Sequence, residues 1–473
     1  MSKIEVNTVD VQCGSTLTLG SSGKTVKIAT GASTCGMGRT GTVNWCTTAK
    51  TSPLTVASGN GYFINTSGGA ITVTLPSSPS AGDIVAFKDY ANTWDNNNVT
   101  IGRGGSKING TCSCATLDTE SQSVTLIYVD GTKGWQDIHD STANVSGAQF
   151  VAASGGNTTL TCGNFKTHIF TASGPLDITS AGNAAGSNVL EYLVVAGGGS
   201  GGNGGTGGSG AGGGAGGFRY FSALSPAGSP LVAPAGLTAS VADVPVTIGA
   251  GGAYNPSASC RGSNGANSVF SSITSTGGGA GGIGNPVSPT APMGGAPGGS
   301  GGGARGSAVG PTPGATGGSG NTPPVSPPQG NDGGQNPANP EKASGGGGGA
   351  GAAGATGGTP QCGAGNGGDG GVGSFLPTSF FGPTAPSYGQ APSPLAPNGR
   401  YFSGGGAGNG YNAPSSGDGG AGGGGDTSSL GAGGSGDTNT GGGASGGSGG
   451  PGRPNDSGGT GGSGFVAIRY KFQ

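Results

Sequence analysis

The sequence predicts an all-β protein: N-terminal β segments and a β-sandwich-like domain, then a glycine-rich bundle of polyglycine II helices on a small β base, with no α-helix of note. Three observations carry this. Apolar and polar residues alternate in short runs, separated by Gly, Ser and Pro turns at a spacing of about ten residues. No stretch shows a competing helical period. Glycine, 117 of 473 residues, gathers in runs that keep a count of three.

Taken in order, residues 1–50 hold two alternating pieces, 15–19 (STLTL) and 24–28 (KTVKI), around a Gly/Ser break, which is a hairpin signal. They bury little alone, so this segment is expected to oligomerise and to attach the chain to a larger assembly. Residues 51–142 read as a sandwich-like domain with strands at 62–64, 71–75, 84–87, 99–101 and 124–129, an Asp130-Gly131 turn, and a return strand from Trp135. Residues 143–196 supply strands at 168–170 and 175–178, and the apolar run 189–195 (VLEYLVV), as the base of the glycine module. Residues 197–464 are the bundle, and 465–473 the closing strand. The runs 189–195 and 465–472 bracket the glycine region, so pairing them would hold its two ends at one place.

The stretch 197–217, GGGSGGNGGTGGSGAGGGAGG, fixes the style of the bundle. One register, Gly198, Gly201, Gly204, Gly207, Gly210 and Gly213, is bare, a second is bare except at Ala211, and the third carries Ser200, Asn203, Thr206, Ser209 and Ala215. A flexible linker has no reason to keep that count. A left-handed helix of three residues per turn does, because its amides point sideways and need partners that only a side-chain-free neighbour can bring close. The same spelling recurs in about nine runs, among them 277–284, 294–306, 345–358, 404–410, 417–425 and 441–452. Each is expected to reverse direction in the non-glycine stretch that follows. The run 345–349 could sit centrally, and 244–248 (VPVTI) should join the base as a strand. Long connections at 285–340 and 374–402 are expected as recognition loops. Phe380, Phe381, Tyr388, Tyr401 and Tyr411 are the candidate receptor contacts, with packing on the bundle as the alternative for each.

Composition excludes several functions. Charged residues are 8% of the chain and the net charge is −2, which disfavours a nucleic-acid surface. No apolar run reaches about eighteen residues, so no membrane insertion is expected, and MSKIEVNTVD is not a secretory signal. Eight scattered cysteines read as buried or free thiols, with disulfides or a metal at Cys112 and Cys114 as alternatives. The two histidines, His139 and His168, lack a nucleophile partner. Acidic residues lie singly in turns, without the carboxylate pair of a glycan-cleaving enzyme. No glycine run continues into the Lys-Ser/Thr of a phosphate loop. Neither enzyme activity nor a cofactor is expected.

Residues 191–199 (EYLVVAGGG), 213–220, 246–252 (VTIGAGG) and 464–470 (GFVAIRY) resemble the glycine-rich module of bacteriophage tail-fibre proteins, over roughly residues 165–473. The opening segment 4–31 and the strands between Tyr62 and Trp135 are similar to marine and cyanobacterial phage fibre proteins. The resemblance implies a polyglycine-helix adhesin whose distal loops bind a host surface glycan or outer-membrane protein. It implies a homotrimer joined through its N-terminus to other virion tail proteins, made in the host cytoplasm and released by lysis. The long loops are idiosyncratic, so no receptor-contacting residue carries over. A purely structural virion component (capsid fibre, tail spacer or baseplate decoration) is the alternative. An ice-binding or matrix protein would need a flat Thr or Asn face, of which only Asn203 and Thr206 give a hint.

Overall fold

A computed structural model of the protein describes residues 43–141, 148–224, 231–257, 259–284, 293–306, 315–336, 343–358, 366–382, 388–391, 399–411, 417–428, 431–450 and 456–473. The expected hairpin at 15–28 lies outside these residues. The chain divides into two units, Met1–Val145 and Ser146–Gln473.

In the first unit the strands are β1 (Asn44–Lys50), β2 (Leu54–Thr55), β3 (Asn60–Ile64), β4 (Ile71–Thr74), β5 (Ile84–Asp89), β6 (Val99–Gly102), β7 (Ala115–Leu117), β8 (Ser123–Asp130) and β9 (Gly134–Ser141). They form a five-stranded sheet, β1-β3-β5-β8-β9, and a four-stranded sheet, β2-β4-β6-β7. From β1 to β6 the chain alternates between the two sheets, so neighbours within each sheet run parallel. Only β7, β8 and β9 pair antiparallel. The core between the sheets holds Phe87, Trp94, Trp135 and a row of Val, Ile and Leu. The expected turn at Asp130-Gly131 is longer than two residues. The Asp130 carboxylate caps the Thr132 and Lys133 amides at 2.8 and 2.7 Å. Gly134 then takes φ +74, where a Cβ would meet the Lys107 carbonyl at 1.9 Å.

In the second unit the strands are β10 (Val151–Gly155), β11 (Thr158–Cys162), β12 (Phe165–Phe170), β13 (Gly174–Ala181), β14 (Val189–Val195), β15 (Phe218–Phe221), β16 (Leu237–Thr238), β17 (Ala242–Thr247), β18 (Ser268–Phe270), β19 (Ile273–Ser275), β20 (Ser374–Leu376), β21 (Arg400–Phe402) and β22 (Phe465–Lys471). Sheets β10-β13-β17-β18-β19 and β11-β12-β22-β14-β15 face each other across Leu190, Tyr192, Val194, Phe270, Val466, Ile468 and Tyr470. The alternate residues Leu193, Val195, Phe465 and Ala467 point to the other side of the second sheet. There they pack under the β20–β21 hairpin and its Phe380, Phe381 and Phe402. The apolar spelling of 189–195 and 465–470, broken only by Glu191 and Arg469, follows from this burial on both faces. The two runs pair antiparallel, Leu190 with Tyr470 through Val195 with Phe465. Residues 242–247 join the base as β17.

The glycine segments extend these strands. Val195 faces Phe465, and then Gly198, Gly201 and Gly204 donate to the carbonyls of Gly462, Gly459 and Asp456 at 2.9–3.0 Å. On the other side Val195 faces Phe218, and then Ala196, Gly199, Gly202 and Gly205 donate to Gly217, Gly214, Ala211 and Gly208. The register is unbroken, and only the bonding period changes, from two to three. Segment 208–217 shows the consequence. Its amides reach 441–447, 276–282 and 345–348, and its carbonyls accept from 196–202, 406–409 and 300–303. A strand has two backbone neighbours, whereas this segment has six.

Some reversals fall inside the glycine runs. The run 197–217 is two antiparallel segments joined by a turn at Thr206-Gly207. Turns or bends also interrupt the runs 294–306, 345–358 and 417–425, the last at Gly422 and Gly423 with φ +111 and +87. Glycine reaches such angles without strain, so the chain can turn inside a run. The stretch 285–340 is corrected too: it is not one loop, because 295–306 and 316–335 are bundle segments bonded to each other.

Candidate functional site

Each segment that leaves the sandwich runs to a far end and returns. From Ala196 to Gly205 is nine residue steps. At that end lie the Thr206-Gly207 turn, residues 254–257 and 259–262, Tyr411 and Gly449. Residues 285–292, 307–314, 337–342, 359–365, 412–416, 429–430 and 451–455, which connect the glycine segments in sequence, lie outside the described residues.

Side chains close the lattice where backbone partners run out. The Asn203 carboxamide donates to the Asn255 and Ser257 carbonyls at 2.7 and 3.0 Å and accepts from the Gly458 amide at 2.9 Å. The Tyr411 hydroxyl donates to the Thr206 carbonyl at 2.9 Å. Ser344 Oγ lies 2.6 and 2.7 Å from the Gly210 and Asn409 carbonyls, and Asn409 Nδ2 donates to Gly446. The Arg261 guanidinium bonds the Gly294 carbonyl, and the Arg305 side chain is buried. Burial lowers the pKa of both arginines from the ordinary value. Along the flanks, carboxylate and carboxamide oxygens of Asn264, Asn267, Asp332, Asp369 and Asp426 accept from amides that lack a neighbouring segment. These polar residues interrupt bare glycine runs. That interruption was their signal in the sequence, though it did not say which amide each would cap.

The scaffold glycines are close-packed. A Cβ at Gly198, Gly201, Gly204, Gly210 or Gly213 would meet a carbonyl oxygen of a neighbouring segment at 1.8–2.3 Å. Gly207 sits in the turn. The third register is buried too, except for Thr206. Ser200 fits because glycine stands beside it: a Cβ at Gly262 would meet Ser200 Oγ at 2.2 Å.

The aromatic candidates are corrected. Phe380 and Phe381 are 1% exposed, Tyr411 is 4% and Tyr401 6%, so none of these four presents a surface to a receptor. Phe380 packs edge-on to Tyr220, and Phe381 lies against Phe402 and Phe465. Tyr388 is half-buried beside Phe381 and Phe465. The stretch 374–402 that carries four of the five covers the sandwich, at the end of the bundle opposite Thr206. His168 is a core residue, with Nδ1 2.7 Å from the Gly155 carbonyl and Nε2 3.0 Å from the Tyr470 hydroxyl. His139 is exposed. Among the described residues Cys46, Cys112, Cys114, Cys162 and Cys260 are free thiols, and no group of His, Cys, Asp and Glu could hold a metal ion. No helix among them is long and apolar enough to cross a membrane.

Fold and site together define a class: a β-sandwich whose strands run on into a close-packed glycine stack. The sequence matches the profile of a glycine-rich domain over residues 171–471, and the chain belongs to that glycine-rich domain family. None of the curated proteins compared with it matches.

Proposed function

We propose that this protein is a non-enzymatic adhesin of a phage virion fibre. The glycine stack, wound as polyglycine II helices, acts as a rigid post, and the connections at its far end bind a host surface glycan or outer-membrane protein. The N-terminal residues attach the chain to other tail proteins and trimerise it. The single observation that carries the reading is the unbroken register from β14 and β22 into segments 196–205 and 456–464. It ties these segments to a sandwich core, which is how loops are held for recognition. The resemblance of 191–199 and 464–470 to tail-fibre modules supplies the setting. A threefold helix offers three donor and three acceptor directions, which accounts for the six neighbours of segment 208–217.

The test is retention of the labelled full chain on a panel of bacterial isolates. Replacing 285–292, 412–416 and 451–455 together by Gly/Ser stretches of equal length should abolish retention without lowering Tm. Retention on no isolate, or retention unchanged by the replacement, would contradict the reading.

A further inference from the structure

A pocket of about 360 Å3 opens at the sandwich-side end of the glycine stack, away from the far-end connections. Tyr388 and Gln390, which precede β21, line one side, and Asp437, Thr438 and Asn439, from the turn between segments 431–436 and 441–450, line the other. The walls are held from behind. Gln390 Oε1 accepts from the Gly422 and Gly423 amides, which leaves its Nε2 as a donor. Thr440 Oγ1 donates to the Asp437 carbonyl at 2.7 Å and accepts from the Gly442 amide at 3.1 Å, pinning the turn. Asn439 is fixed by Ser463 through its amide at 2.9 Å and its Oδ1 at 3.2 Å, which leaves Nδ2 as a second donor. Asp437 and Thr438 are exposed, and no residue among those described bonds the carboxylate or the hydroxyl. The Tyr388 ring is anchored against Phe381 and Phe465 at centroid distances of 5.7 and 5.4 Å.

We propose that this pocket binds a neutral saccharide. Each sugar hydroxyl both donates and accepts, and the pocket offers a carboxylate acceptor, two carboxamide donors and a hydroxyl on a backbone that is already ordered. The half-buried tyrosine beside them offers an aromatic face for the C–H side of a pyranose. The charge decides against acidic ligands. Asp437 is the charged lining residue, and the nearby Arg400 guanidinium is committed to the Tyr388 and Gly389 carbonyls. One carboxylate is too few for a hard cation, which takes six or more oxygen ligands.

The inference rests on the adhesin reading and adds a glycan subsite on the side of the post. Saturation-transfer NMR on the full chain tests it, with glucose, galactose, mannose and N-acetylglucosamine against glucuronic and sialic acids. At least one neutral sugar should receive saturation at millimolar concentration and the acids should not. Asp437→Ala and Gln390→Glu should each weaken that binding at least tenfold with Tm unchanged. The proposal is overturned if no neutral sugar binds, if the acids bind equally, or if both variants bind like the parent. Cell retention, measured in parallel, separates the two readings. Retention without sugar binding overturns the pocket alone, and sugar binding without retention overturns the adhesin alone.

Discussion

Gly201 and Gly174 differ only in what surrounds them. A Cβ on Gly201 would meet the Ser445 carbonyl oxygen at 1.9 Å, whereas one on Gly174 would meet nothing within 4 Å. Gly201→Ala should therefore destabilise the second unit by about 1–3 kcal/mol or more through overpacking. Gly174→Ala should stay within about 0.5 kcal/mol of the parent, and denaturant unfolding checks both. The buried pair Glu191 and Arg469, at 2.6 Å, makes a second residue-level case. The Arg469 guanidinium also stacks 3.6 Å over Phe165, and Glu191 Oε2 accepts from Ser222. Arg469→Met leaves that carboxylate buried without its cation and should cost about 3–5 kcal/mol, where replacing both partners by apolar residues costs less. His168 gives a pH dependence. Burial, the largest cause, holds its pKa below the ordinary value. The unfolded chain therefore binds a proton that the folded chain does not. The stability contributed by keeping His168 neutral is full above about pH 6.5 and falls as the pH drops below it. His168→Gln should flatten the difference in Tm between pH 7.5 and pH 5.5. A slope that survives the substitution would place its origin elsewhere.

At the scale of elements, the sequence was most legible where side chains mark both faces of a strand. The runs 189–195 and 465–470 are apolar on both faces except at the paired Glu191 and Arg469, and their pairing could be read from that spelling. Inside the glycine runs the count of three was legible, because bare registers imply close neighbours. The reversals at Thr206-Gly207 and Gly422-Gly423 were not, since glycine spells a turn and a straight segment alike. In the first unit, alternation of period two located β3 through β6 but could not show that they wind in parallel between two sheets. Four of the five aromatic candidates failed for a related reason: an aromatic residue amid glycine reads as exposed until a sheet such as β14–β22 appears beneath it. The threefold repeat carries its own prediction. Deleting 199–201 together with 212–214 removes one repeat from each arm and keeps every face aligned. Deleting Gly201 and Gly212 alone shifts each arm by one position in the three-residue bonding period. Thermal melts should show a folded, lower-melting triplet variant and an unfolded second unit in the single-residue variant.

At the scale of the whole molecule, the arrangement separates two jobs between the two ends of the glycine stack. The sandwich end holds the large apolar clusters, with Phe380, Phe381 and Phe402 packed over the second sheet. The far end holds small polar clasps such as Asn203 and Ser344. Change in the connections is therefore expected to be tolerated, while truncation of Phe380, Phe381 or Phe402 is expected to unfold the base. This replaces the receptor-contact role that the sequence suggested for Phe380 and Phe381. The central claim is that the glycine region is a backbone-bonded solid, and hydrogen exchange tests it most directly. Amides of residues 208–217, though in neither helix nor strand for most of their length, should exchange only by global unfolding of the second unit, as slowly as those of β14 and β22. Exchange of those amides within seconds, at the rate of an open linker, would contradict the account.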